Sequence, residues 1–76
     1  MNWQEVQGKW KEYSGKARER WGRLSDDDLE KIAGQRDQLV GKIQQSYGIA
    51  KDEAERQVRE FERAADNMQK AARKPH

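Results

Sequence analysis

Apolar side chains recur along this chain at alternating intervals of three and four residues, and a few glycines punctuate that recurrence. Trp3, Val6, Trp10, Tyr13, Ala17 and Trp21 fall on one helical face. The same stretch is a seven-residue repeat, Trp3–Lys9, Trp10–Lys16 and Ala17–Arg23. Glu5 and Lys9, Glu12 and Lys16, and Glu19 and Arg23 are spaced for ion pairing one helical turn apart. A first helix over this segment is predicted, ending at Gly22 as a C-terminal glycine. Gly8, Gly15 and Gly22 form a stripe along it, which allows close approach of another backbone or simply weakens the helix.

The densest structural signals lie in Trp21–Leu29. Ser25 stands where an N-cap belongs, and Asp26, Asp27 and Asp28 suit the positive end of the helix that follows. Leu24 and Leu29 have the spacing of a hydrophobic staple. Leu29, Ile32 and Ala33 continue the apolar face, Gly34 interrupts it, and Leu39, Val40, Ile43 and Tyr47 resume it in phase. The pattern permits one bent helix over 26–47 or two helices jointed at Gly34. Gly48 closes the segment, with Ile49 placed to fold back. Ala54, Val58, Phe61, Ala65, Met68 and Ala72 then form a seam on a last helix over 51–72, stopped by Pro75. No alternating β-branched run or hairpin dipeptide occurs, so the chain reads as all-α.

Composition changes this picture in two ways. Leu, Ile, Val and Phe number only 10 of 76 residues, so the core is small and the tryptophans must form much of it. Trp10 and Trp21 are expected inside, whereas Trp3, near the chain start, is open to either reading. Sixteen bases against 14 acids leave a net charge of +2, too nearly balanced to read as disorder or to imply nucleic acid. The balance is uneven along the chain: residues 1–23 carry +3 and residues 24–34 carry −3. Cysteine is absent, which removes disulfides, thiol chemistry and Cys-based zinc sites. No apolar run is long enough for a signal peptide or membrane span, so a cytoplasmic location without membrane insertion is expected.

Little of the sequence points to catalysis. Three consecutive helical acids diverge by about 100° each and do not converge on one ion. His76, the one histidine, is the final residue and has no neighbour to position it. With no phosphate-binding loop either, the expectation is a non-enzyme with no cofactor and no metal site. Two binding surfaces remain. Lys9, Lys16, Arg20 and Arg23 line one edge of the first helix beside its aromatic face, a pattern suited to nucleic-acid phosphates, although Glu5, Glu12 and Glu19 partly neutralise it. Solvated flank is the preferred reading of that edge. Val58, Phe61, Ala65 and Met68 offer a second surface, a seam through which another helix or a second copy could pack.

The motifs Gly8-Lys9-Trp10-Lys11, Gly15-Lys16, Trp21–Leu29, Gly34–Gln44, Tyr47-Gly48 and Lys51–Glu55 resemble the CsbD-like family of small bacterial proteins, from about residue 2 to residue 62. The resemblance implies a cytoplasmic protein made under general stress and in stationary phase, with no established molecular activity and no site residues to carry over. It implies a compact bundle of four or five short helices, arranged as two roughly orthogonal hairpins and similar to sterile-alpha-motif (SAM-like) domains. Residues 1–76 would then form one such domain, with 63–76 a helical extension and short frayed tail. That extension, longer than in many members, carries the Ala65, Met68, Ala72 seam and raises the expectation of a homodimer. Ala50 replaces the capping residue usual before the last helix, so that helix start is expected to be weaker.

Overall fold

In the computed structural model the backbone is described for residues 3–73 and side chains for residues 3–67. Five helices follow one another: α1 (Trp3–Gly8), α2 (Trp10–Arg20), α3 (Asp26–Ile32), α4 (Arg36–Tyr47) and α5 (Lys51–Arg73). Each of the middle helices packs on the next, α2 on α3, α3 on α4 and α4 on α5, while α1 closes the circuit by lying against both α2 and α5. Among the described residues there is no strand. The all-α reading is met, and of the four or five helices expected the structure has five.

The first predicted helix is two helices. Lys9 leaves helical geometry (φ −114°, ψ 29°) between α1 and α2. Its N–H still donates to the carbonyls of Glu5 (3.2 Å) and Val6 (3.1 Å), so the joint is a bend rather than a loop. Gly8 gives the bend its place, since glycine is the weakest non-proline helix former. The bend brings the Trp3 and Trp10 rings to a 6.4 Å centroid separation on the same side of the molecule. Periodicity predicts one helix over this segment, ending at Gly22, and the structure divides it in two because periodicity is retained across a bend this slight.

Gly22 does not supply a left-handed cap, because α2 ends on Trp21 (φ −118°, ψ 79°) and the positive-φ glycines are Gly34 and Gly48. A Cβ at Gly8, Gly15 or Gly22 would meet nothing within 4 Å, so the stripe serves no close backbone approach within this fold. Gly34 does. Its φ is +80°, and an added Cβ would lie 3.0 Å from both Cα and Cγ of Gln7. With Ala33 also left-handed (φ 51°), the chain turns sharply between α3 and α4, which settles the joint at Gly34 in favour of two helices.

The start of α3 is built as the sequence suggested, with an addition. Ser25 Oγ accepts from the Asp28 N–H, and the Ser25 N–H donates to Asp28 Oδ2, both at 3.1 Å, a reciprocal capping box. Leu24 and Leu29, 0% and 2% exposed, complete the staple. At the other end of α4, Gly48 (φ 63°) caps through its N–H to the Gln44 carbonyl. The carbonyl of Ala50 accepts from Ala54 N–H, so α5 begins without a capping side chain at that position.

The core draws Val6 from α1, Tyr13 and Ala17 from α2, Trp21 and Leu24 from the turn, Leu29 and Ile32 from α3, Leu39, Val40 and Ile43 from α4, and Ala54, Val58, Phe61 and Ala65 from α5. Phe61 is its aromatic hub, with ring centroids of Trp21, Trp3 and Tyr13 at 5.2, 6.4 and 6.5 Å. All three indole N–H groups are satisfied internally. Trp3 donates to the Gly34 carbonyl (2.6 Å), Trp10 to the Leu29 carbonyl (2.9 Å) and Trp21 to Gln57 Oε1 (2.9 Å). Each therefore ties its own segment to a distant element, a demand of the indole group when it is buried. Trp21 is inside as expected, while Trp10 and Trp3 are half-buried against the core.

Candidate functional site

The four cations of the proposed basic edge do not share one helix. Lys9 lies in the bend, Lys16 and Arg20 on α2, and Arg23 in the turn beyond it. Two are also committed within the fold. Arg20 donates to Glu60 Oε1 on α5 (2.8 Å) and stands 5.9 Å from the centroid of Trp21. Arg23 lies 5.5 Å from the Tyr47 ring and reaches the Ser46 carbonyl at 3.4 Å. Lys16 pairs with Glu19 at 3.9 Å, and Lys9 is exposed.

The apolar seam is likewise occupied. Val58, Phe61 and Ala65 are 0%, 5% and 0% exposed in the protein's own core, where α5 packs chiefly on α4 and also on α1, so that face is covered as far as Ala65. Met68 lies outside the residues whose side chains are described. Substituting Asp for Phe61 would therefore disrupt the fold itself rather than report on association.

A polar circuit that the sequence did not reveal joins the end of α2 to α5. Trp21 donates to Gln57, whose amide donates to Glu53 Oε2 (3.0 Å). Glu53 pairs with Arg56, Arg56 Nη1 with Glu60 Oε2 (2.7 Å), and Glu60 Oε1 returns to Arg20 beside Trp21. The Arg56 guanidinium and the Gln57 amide hold the Glu53 carboxyl down at about 2. The i,i+3 and i,i+4 spacings of Glu53, Arg56, Gln57 and Glu60 were visible in the sequence. Their closure onto Trp21 and Arg20 needed the tertiary approach of α2.

The acids at the start of α3 diverge, as their helical spacing demanded. Asp26 pairs with Arg18 of α2 (2.7 Å), and Asp28 pairs with Lys42 of α4 (3.2 Å). Hydrogen bonding from the Ser25 backbone, then from Lys42, lowers the pKa of Asp28 below the usual carboxylate value. Among the described residues no group of three His, Cys, Asp or Glu side chains is placed to hold a metal ion. Shallow grooves remain. The largest, about 420 Å³ between α2 and α3, is lined by Trp10, Lys11, Ser14, Gly15, Asp26 and Leu29, with Glu30 at its edge. A second of about 320 Å³ lies between α2 and α5 beside Phe61, and a third of about 260 Å³ beside the Asp28–Lys42 pair. No buried polar side chain converges on any of them: among the described residues none is buried at all.

The sequence that builds this helical circuit, capped at Ser25 and jointed at Gly34, matches a known family of small proteins. The profile of the CsbD-like family matches residues 4–56, and the chain belongs to that family. UPF0337 protein YjbJ of Escherichia coli O6:H1 is 53% identical over 66 residues, covering 87% of this chain and 96% of that protein. YjbJ of E. coli K12 is 55% identical over 62 residues, covering 82% and 90%. UPF0337 protein NE2439 of Nitrosomonas europaea is 52% identical over 75 residues, covering 99% of this chain and 76% of its own length. No helix among the described residues is long and apolar enough to cross a membrane.

Proposed function

We propose that the protein is a non-enzymatic bacterial stress-response module of the cytoplasm, and that it acts through its hydrated, charge-balanced surface. The observation that carries this reading is where the charges are and what they do. Charged residues are 39% of the chain, well above the roughly 25% usual in globular proteins. Among the described residues none is buried. Ion pairs run between neighbouring helices: Arg18–Asp26, Arg20–Glu60, Asp28–Lys42 and Arg36–Glu55. Exposed pairs contribute no more than about 1 kcal/mol each, so stability alone does not account for so many charges. What they provide is a densely charged, strongly hydrated surface, with charged residues of both signs interspersed over it.

The helices beneath that surface are individually weak. Gly15 and Gly41 sit inside α2 and α4 with open space where a Cβ would be, each costing about 0.5–1 kcal/mol relative to Ala without any packing return. Such helices gain or lose order as water activity changes, so the molecule adapts its hydrated surface to its surroundings. The test is recovery of an unrelated, drying-sensitive enzyme after desiccation with this protein or with an equal mass of serum albumin, alongside survival of a deletion strain under osmotic and stationary-phase stress. Superior recovery and impaired survival support the reading. Recovery no better than albumin, together with a deletion strain indistinguishable from its parent, refutes it.

A further inference from the structure

The joint between α1 and α2 is closer to a helix than to a loop. Lys9 alone leaves helical geometry, and its N–H still reaches the Glu5 and Val6 carbonyls. Val6 thereby accepts from Lys9 in place of Trp10, and Glu12 donates to the Lys9 carbonyl (2.9 Å) in place of that of Gly8. A continuous helix over 3–20 restores both helical pairs and keeps Trp3, Val6, Trp10, Tyr13 and Ala17 on one face. Gly8 does not oppose it, since a Cβ there meets nothing within 4 Å. What holds α1 back is its seat. Val6 is fully buried, the Trp3 indole donates to the Gly34 carbonyl, and the Trp3 ring lies 6.4 Å from that of Phe61. Gln7 covers Gly34. The bend is what brings the segment there, so straightening swings α1 off its own seat and leaves Trp3, Val6 and the cleft they fill uncovered.

From this we infer that the partner for the α1 segment is a second copy of the chain. Two molecules exchange α1, each straightened α1–α2 helix seating its Trp3 and Val6 in the other's cleft at Gly34 and Phe61. The occupant follows from the fold, because the cleft already holds an identical segment with matched shape and a matched hydrogen bond. Exchange remakes the contacts of α1 with the rest of the fold across a two-fold axis, and it adds the helical pairs at each joint. Lost freedom on association opposes these gains, so monomer and dimer interchange with concentration. The connection favours exchange. Lys9 is the one residue between the two helices, and so short a hinge cannot fold α1 back once the joint is helical. This association is separate from the surface on which the protective function rests, and either can fail without the other.

The experiment is light scattering on size-exclusion fractions of the full chain across a wide concentration range. The unaltered protein moves from a mass of 8.9 kDa toward twice that value as concentration rises. Lys11→Pro lowers the dimerisation constant by more than about a hundredfold and leaves the circular dichroism spectrum unchanged. Proline is tolerated in the first turn of α2, where Lys11 lies, but breaks a helix that runs through that position, and both chains of the dimer bear the cost. Gly8→Ala raises the constant by on the order of tenfold, because glycine is least favourable inside a continuous helix. A second arm uses Val6→Asp, which spoils the segment, and Gly34→Ala, which spoils the seat. Neither forms the exchanged dimer alone. Their equimolar mixture forms a heterodimer, which holds one intact segment in one intact seat. A chain that is monomeric at every concentration overturns the proposal. So does a dimer that survives Lys11→Pro, as packing through α5 would, or a mixture no more dimeric than its two components.

Discussion

Replacing Gly34 by Ala tests how the bent N-terminal segment is locked to the rest of the fold. The substitution adds one methyl group at a position with φ +80°, facing Cα and Cγ of Gln7 at 3.0 Å and its Cβ at 3.3 Å. Left-handed backbone bearing a Cβ costs about 1–2 kcal/mol, of which about 0.5–1 is returned by the lower entropy of the unfolded chain. The contact adds to this, because its nearest atom belongs to the backbone of α1 and cannot rotate away. Two outcomes compete. If α1 stays docked, overpacking costs about 1–3 kcal/mol more. If α1 lifts, the Trp3 bond to the Gly34 carbonyl is lost, about 0.5–1.5 kcal/mol, together with burial of Val6, about 1.5–3 kcal/mol. The docked route totals about 1–4.5 kcal/mol and the lifted route about 2–6 kcal/mol, against an expected stability of about 4–11 kcal/mol for 76 residues. Urea unfolding followed by circular dichroism measures the loss, and a midpoint temperature lower by about 10–20 °C accompanies it. A reduced m value identifies lifting of α1, since less surface is then exposed on unfolding. A stability within about 0.5 kcal/mol of the parent, with unchanged m, would refute the packing of Gln7 on Gly34.

The opposite result is expected at Gly15→Ala and Gly41→Ala, where nothing meets the new methyl: each raises stability by about 0.5–1 kcal/mol in the same urea assay. Ser25→Ala removes the acceptor for the Asp28 N–H and lowers stability by about 1 kcal/mol, a drop of about 4–8 °C in midpoint. Acid weakens the fold through Glu53 and Asp28. Both carboxyls hold their protons more weakly in the folded state, so their contribution is complete above the unfolded values near 4, and Glu53's is lost as pH falls toward about 2. Glu53→Gln therefore flattens the fall of stability between pH 4.5 and 2, measured as the thermal midpoint against pH.

Local signals were legible wherever one or two turns of chain contain the whole cause. Ser25, Leu24 and Leu29 fixed the start of α3, Gly48 the end of α4, and the Ala54-to-Ala65 spacing the buried face of α5. Tertiary causes were not legible. Gly22 looked like a helix cap and Gly34 only like an interruption, yet Gly34 is the glycine that geometry requires, because Gln7 of α1 approaches it from 27 positions away. The basic edge failed as a single row for a related reason. Its spacing assumed one unbroken helix, and Lys9 and Arg23 lie outside α2. Which arginines are free is equally a tertiary property. Arg20 and Arg59 are alike in sequence, each with a glutamate within one turn, but only Arg20 meets Glu60 across the interface of α2 and α5.

The central claim is that a general surface property, not a discrete site, does the work. Its most direct test is a titration of this protein against a fixed amount of a drying-sensitive enzyme, reading recovered activity as a function of mass ratio. The account predicts a graded rise without a stoichiometric plateau, unchanged in Lys9→Gln/Lys16→Gln and in Arg59→Gln/Arg63→Gln. A sharp plateau at equimolar ratio, or protection abolished by either pair of substitutions in a protein that remains folded, would contradict it.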